Sequence, residues 1–380
     1  MEQTQTTAER QSTGRRGERY KAAKPGLREY WYPVMTVASL RRKKMAAQTV
    51  AGEKILFVFD KGKCFAVHDQ CPHRLVPLSV GRVEFPCHVT CEYHGWTFDL
   101  ASGRLVAALT DGPDSPVTGK VCIKTFPVEV RAGLVFVWIG SGKPVPVEDD
   151  VPAELLDPRA RIMTLIRRPI GDWRYAAENG FDEAHGKMLH RSSWWVFFRG
   201  VAAWNTTEIK PSPDGIWLSR TQHKVQLRDN FPGLGWWPRH RFWQKGAGKS
   251  RATLGGTDHM IDVRLPGILR VKQPGRAKWT HYEWYVPSDD ERYLYVCLAV
   301  AWPKTPIGAA TWWLRYWSYI LWIHHYGFNG QDLQMVRLMP ESQPVRLFRP
   351  DESISSWRKL VEENARGSST AGSGELRTAG

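Results

Sequence analysis

Short apolar runs and period-two alternation dominate the first third of the chain. YPVMTVASL, EKILFVFD, KCFAVHDQ, VTCEYHGWTFDL and GLVFVWIG, all between residues 30 and 145, carry the pattern of strands separated by turn residues. The segment SGKPVPVEDDVPAELLDP at 141–158 is acidic and proline-bearing, and predicts a domain boundary. Beyond it the period changes. GDWRYAAENGFDEAHGKMLH at 171–190 reads as mostly helical, strands are expected around 214–223, 251–272, 279–287 and 291–302, and helical patterns return at 311–326 and in ESISSWRKLVEEN. No repeat appears at solenoid periods. The pattern predicts an α+β chain: a mobile basic tail at 1–27, an all-β domain at 28–145, and a domain at 146–380 whose sheet is antiparallel.

Composition narrows the function. With 42% hydrophobic and 24% charged residues, the 380-residue chain has the balance of a soluble globular protein. Its 19 tryptophans exceed ordinary usage; packing accounts for most, and an apolar aromatic-lined pocket for the rest. The net charge of +15 is spread along the chain instead of being gathered in one tail or helix, which fits a small acidic redox protein as partner better than nucleic acid. Six cysteines do not make a disulfide scaffold. The N-terminus has no apolar run of a secretory signal. In the most membrane-like stretch, TWWLRYWSYILWIHHYGF, Arg315, His324 and His325 interrupt the apolar run, so it reads as a buried amphipathic helix. No membrane association is expected, and the location expected is cytoplasmic.

The chemistry begins at CPHRLVPLSVGRVEFPCHVTCEYHGW. Cys71 and His73 form one pair, Cys91 and His94 a second. One sulfur and one nitrogen from each of two loops suit a [2Fe-2S] cluster held by both cysteines on one iron and both histidines on the other, the Rieske arrangement. Pro72 stiffens the first loop, and Gly95 allows close backbone approach. Structural zinc is the competing occupant. Cys87 and His88 lie close by as decoys, but Cys87 has the wrong spacing to His94, and Cys64, Cys122 and Cys297 read as buried thiols.

A cluster that moves single electrons performs no bond chemistry, so the larger domain should hold the place where electrons are used. ENGFDEAHGKMLH at 178–190 supplies His185 and His190, the two imidazoles expected of a facial triad for mononuclear ferrous iron. Five residues apart, they would point about 140° away from each other on an ideal helix. They can share a metal only if the helix breaks, and Gly186 is the expected break. The carboxylate is expected from Asp332 in GFNGQDLQM, with Asp289 and Asp290 in PSDDER and Asp351 as rivals. Glu178 and Glu183 read as solvated or structural. Asp182, three residues before His185, reads as the carboxylate that orients it.

With these motifs the chain resembles the Rieske non-haem iron ring-hydroxylating oxygenases from about residue 28 onward. REYWYPVM, DWRYAAENGFD, LPGILRVKQP, HYEWYVPSD and SWRKLVEENARG are similar to the carbazole 1,9a-dioxygenase branch of that family. The resemblance implies a Rieske domain joined to a helix-grip catalytic domain in a head-to-tail homotrimer. Electrons would pass from NAD(P)H through a reductase and a ferredoxin to the cluster. From His73 or His94 they would cross to Asp182 and His185 of the neighbouring subunit. It further implies that Gly180, through its carbonyl, together with Phe328 and Ile268, holds the substrate, and that dioxygen is added at the angular carbon beside the ring nitrogen, and at its neighbour, of carbazole or a similar planar heteroaromatic. The stretch 224–250 departs from the branch pattern. Competing expectations are a monooxygenase or demethylase, an electron carrier without oxygenase activity, and a zinc-containing nucleic-acid binder.

Overall fold

The computed structural model describes residues 17–182, 184–190, 203–213, 215–226, 261–272, 279–340 and 345–367. Nine strands make three small antiparallel sheets in the first part of the chain. β1 (Tyr30–Thr36) pairs with β9 (Leu134–Ile139), which pairs with β8 (Val128–Arg131). β2 (Met45–Val50), β3 (Glu53–Asp60) and β4 (Lys63–His68) form a meander, as do β5 (His88–Thr90), β6 (Trp96–Asp99) and β7 (Leu105–Ala108). The run YPVMTVASL is a strand only as far as Thr36, whose side chain accepts from the Ser39 amide at 3.2 Å and so caps a helix over Val37–Lys43. VTCEYHGWTFDL divides into β5 and β6 around a loop that carries Cys91 and His94.

The remaining strands among the described residues build one seven-stranded antiparallel sheet in the order β10-β16-β15-β14-β13-β12-β11. They are β10 (Arg161–Arg167), β11 (Ala203–Pro211), β12 (Leu218–Gln226), β13 (Ile261–Arg264), β14 (Ile268–Lys272), β15 (Trp279–Pro287) and β16 (Tyr293–Ala301). This is the antiparallel sheet the pattern predicts. β10 and β11 were not expected, the run at 251–272 is interrupted by a turn at 265–267, and its residues 251–260 lie outside the described ones. All nine residues of β16 are buried, because both faces of the sheet are covered. On one face, Trp284 of β15 meets Phe136 of β9 with ring centroids 5.8 Å apart. On the other, His281, Glu283 and Tyr285 face the helices.

Residues 17–27 are not a loose tail. Tyr20, Ala23 and Leu27 join the main core, and the Trp173 indole donates to the carbonyls of Ala23 and Lys24 at 3.1 and 3.0 Å. Residues 1–16 lie outside the described ones. The long aromatic segment is an α-helix over Pro306–Arg315, a wider helix with i→i+5 hydrogen bonds over Tyr316–Phe328, and an α-helix again over Asn329–Leu338. Trp312, Tyr316, Ile320 and Leu321 bury one face against Trp279, Ala299 and Ala301. The other face is also apolar but exposed, with Trp313 at 57% and Trp322 at 59%, so the expected buried helix is buried on one side only. Among the described residues no helix is long and apolar enough to cross a membrane.

Candidate active site

Two loops of similar build present the first constellation. In one, the Leu75 amide bonds back to the Cys71 carbonyl at 2.9 Å; in the other, the Gly95 amide bonds back to that of Cys91 at 3.0 Å. Leu75 (φ 61°) and Gly95 (φ 67°) occupy the same left-handed position in the two turns. Cys71 and Cys91 sit in the apolar core of the small domain with Leu56, Val58, Leu78, Val89 and Phe98. His73 and His94 lie at the rim, ring centroids 4.5 Å apart, and His73 stacks on Trp96 at 4.9 Å. Burial and the adjacent Cys91 push the Cys71 thiol up to about 11. Two thiols side by side in an apolar interior and two imidazoles together at the edge fit an elongated cluster with sulfur ligands at one end and nitrogen ligands at the other. Cys87 and His88 are engaged elsewhere: the Cys87 amide donates to Asp60 at 2.7 Å, and His88 Nδ1 lies 2.6 Å from the Pro86 carbonyl. Cys122 is exposed and Cys64 half-buried, so of the three thiols expected to be buried only Cys297 is fully so.

The second constellation forms where a helix stops. The helix Trp173–Phe181 starts at Asp172, whose side chain accepts from the Arg174 amide at 2.8 Å. It ends with the Asp182 amide on the Glu178 carbonyl, and Asp182 itself is extended. Asp182 then accepts from the Ala184 amide at 2.8 Å and from His185 Nδ1 at 3.1 Å. The break therefore precedes His185. Gly186, expected to be the distortion, is the first residue of a short helix over Gly186–Leu189 that carries the chain to His190.

His185, His190 and Asp332 converge, their ligand atoms all within 4.8 Å of one another. The Nε2 atoms of the two imidazoles lie 3.2 and 3.3 Å from the same oxygen of Asp332. Of the rival carboxylates, Asp289 accepts amides of its own hairpin turn, Asp290 is exposed, and Asp351 accepts from the Phe348 amide. Burial disfavours the Asp332 carboxylate, yet His185 and His190 hold it down at about 2. Burial likewise opposes a charged His185, but Asp182 and Asp332 raise it to about 9. Among the described residues His190 Nε2 is buried without a hydrogen-bond partner, an atom aimed at a site where a cation would complete it. The donor set of two imidazoles and one carboxylate fits ferrous iron.

Two supporting residues escaped the sequence reading. Gln331 Oε1 meets His190 Nδ1 at 2.8 Å, and Asn179 Nδ2 donates to Asp332 at 3.1 Å. Phe328 stacks on His190 with centroids 3.6 Å apart. Gly180 lies on the same helix as Asn179, where a Cβ would come 2.1 Å from the Tyr285 hydroxyl and 3.1 Å from Leu269. Ile268 does not join this group. It pairs with Trp284 on the face turned toward β9, whereas Leu269 pairs with Glu283 and faces Gly180. Glu178 is structural, buried in an ion pair with Arg358 at 2.7 Å. Glu183 lies outside the described residues, as do positions 227–250 of the divergent stretch.

Residues 30–127 match the Rieske [2Fe-2S] domain, and residues 138–215 and 242–369 match the homotrimeric ring hydroxylase family. The chain is 32% identical to the terminal oxygenase component of carbazole 1,9a-dioxygenase from a Sphingomonas species, over 92% of this chain and 95% of that one. Its fold is similar to the terminal oxygenase of carbazole 1,9a-dioxygenase from Novosphingobium sp. KA1, with a TM-score of 0.78, 27% identity, and coverage of 96% and 99%. It is equally similar, with a TM-score of 0.78 and 26% identity over 97% of each chain, to the reduced complex between oxygenase and ferredoxin of carbazole 1,9a-dioxygenase. The chain belongs to the homotrimeric ring hydroxylases, and is a Rieske non-haem iron dioxygenase with a [2Fe-2S] cluster and a mononuclear iron.

Proposed function

We propose that this chain is the terminal oxygenase of a multicomponent system that adds one atom of dioxygen at the angular carbon beside the ring heteroatom of carbazole or a similar planar heteroaromatic, and the other atom at the neighbouring carbon. His185, His190 and Asp332 would hold the iron, and Cys71, His73, Cys91 and His94 the cluster. The observation that carries the reading is the convergence of those two imidazoles and one carboxylate beside the aromatic wall of Phe328. When bound, the ferrous ion activates dioxygen with electrons that the cluster delivers.

The protein's part is to fix and shield. Asp182 and Gln331 each take the Nδ1 of one imidazole, which leaves both Nε2 atoms for the metal. Asn179 orients the Asp332 carboxylate. Phe328, Leu269 and the Gly180 backbone would bound the space for a flat apolar ring, so that much of the rate comes from positioning. Asp182, with its side chain 14% exposed, would couple His185 to the cluster histidines of a neighbouring subunit in a homotrimer.

The cluster rim suits a partner. Leu75, Tyr93 and Leu109 are exposed in the loops around His73 and His94, and Arg74 stands over the Tyr93 ring. An acidic ferredoxin, itself reduced by an NAD(P)H-dependent reductase, would fit that apolar and positive surface. The ferredoxin complex of the similar oxygenase supports this choice. The domain boundary is placed in the 141–158 segment, and the cytoplasm is the compartment that supplies the nicotinamide donor. The test is turnover of carbazole, dibenzofuran and dibenzo-p-dioxin with a reconstituted redox chain under labelled dioxygen. Two labelled atoms in an angular product are expected. A single labelled atom would make the chain a monooxygenase, and reaction only with a monocyclic substrate would remove the heteroaromatic assignment.

A further inference from the structure

Only two groups of His, Cys, Asp or Glu among the described residues bring three candidate ligand atoms within 4.8 Å of one another. One is the iron triad. The other is His281, His324 and His325, with ring centroids 4.8 Å apart for His281 and His324, 5.2 Å for His281 and His325, and 5.6 Å for His324 and His325. Cys297 Sγ stands 2.9 Å from His325 Nδ1 and 3.8 Å from His281 Nδ1. His281, His325 and Cys297 are buried to within 1% of complete. We propose that these three imidazoles, with the Cys297 sulfur as fourth donor, form a second metal site for a thiophilic, imidazole-binding divalent ion such as zinc.

The chemistry of the cluster favours a cation. Burial and the crowding of imidazoles push His325 down to about 2 and His324 well below its ordinary range, so both rings stay neutral, the form in which imidazole ligates a metal. A donor set of neutral nitrogens and one sulfur, with no carboxylate among the ligands, selects zinc over a hard cation. The Cys297 thiol, which burial keeps protonated, would release its proton to solvent on binding. His281 also has the support that ligand imidazoles carry: Glu283 takes its Nε2 at 2.7 Å, and Asn329 braces Glu283 at 2.9 Å.

The site is separate from the iron. Phe328 stands between them, its ring 3.6 Å from His190 on one side and 5.7 Å from His324 on the other. Its ligands come from β15, β16 and the wide helix, so a bound ion would pin that helix to the sheet. The same helix continues into Gln331 and Asp332.

The test is element-specific. Holoenzyme is dialysed with zinc and then against a chelator, and its zinc is measured by metal analysis and zinc-edge X-ray absorption, where the iron cluster does not interfere. About one equivalent of zinc per chain with nitrogen and one sulfur neighbour is expected to remain. Asp332→Ala should keep that zinc while losing the mononuclear iron. His281→Gln and His325→Gln should lose it, and Cys297→Ser should lose the sulfur neighbour, each with the visible spectrum of the Rieske cluster intact as the check on folding. Complete loss of zinc from the wild type on dialysis, retention in both histidine variants, or loss in Asp332→Ala would overturn the proposal.

Discussion

Replacing Asp182 with asparagine removes a charge while keeping the outline of the side chain. Asp182 accepts from the Ala184 amide at 2.8 Å and from His185 Nδ1 at 3.1 Å. Burial works against its ionisation, but the bonds from His185 and Ala184 hold the carboxyl below the usual range. Asparagine can still accept from Ala184, so the helix end is preserved; the charged bond to His185 is lost. A hydrogen bond to a charged group contributes roughly 1.5–3 kcal/mol. At about 1.4 kcal/mol per factor of ten, that is a ~10- to 150-fold loss in the preference for the ligating form of His185. Iron affinity should therefore weaken about 10- to 100-fold, the range known for partners of metal-bound imidazoles. The assay is anaerobic competition with a ferrous chelator, with labile sulfide as internal standard for the cluster. The reduced cluster should also be reoxidised more slowly when dioxygen and substrate are mixed in, even in fully iron-loaded protein. Unchanged chelator competition together with wild-type reoxidation would refute the coupling role.

Three other outcomes follow from the geometry. Because Asp182 and Asp332 raise the metal-free His185 to about 9, ferrous ion must expel a proton at any lower pH, so apparent affinity should rise about tenfold per pH unit up to about that value and level off above it; calorimetry in buffers of different ionisation heat reads the proton, and a pH-independent affinity near neutrality would contradict it. Gly103→Ala forces φ 76° on a residue with a Cβ that would lie 2.1 Å from the Ile123 carbonyl oxygen; a loss of at least about 1–3 kcal/mol in chemical denaturation is expected, and an unmoved midpoint counts against the strain. Leu269→Ala and Ile268→Ala should each cost about 2–5 kcal/mol as buried truncations, but only the Leu269 change should alter the product distribution; equal effects on products would mean that the sheet face is assigned wrongly.

The metal-binding loops were legible because each is local. Cys71 with His73, and Cys91 with His94, lie within single turns, and the residues that shape those turns sit between or beside them. Asp332 was legible as a carboxylate closely following the aromatic run, although only the folded chain removes Asp289, Asp290 and Asp351. The position of the helix break was not. A glycine at 186 offered freedom, but the helix ends earlier because the Asp182 side chain captures the Ala184 amide and His185. Ile268 and Leu269 are adjacent, and which one faces Gly180 depends on strand register, which the alternation alone leaves ambiguous. β10 carries a half-buried pattern that gains meaning only from its pairing with β16. The imidazole cluster was invisible for a related reason: His281 and Cys297 belong to two paired strands, and His324 and His325 to a helix wound more widely than the sequence period suggests.

That wide winding makes the ligand geometry depend on residue count. Each residue advances an α-helix by about 100°, and Tyr316–Phe328 leads without interruption into the turn bearing Asp332. Shortening the segment by one residue would let it rewind more tightly and swing Asp332 around the axis, away from His185 and His190, with no catalytic side chain altered. Insertions and deletions at exposed positions such as Trp322 should thus be as damaging to the iron as losing one of its ligands.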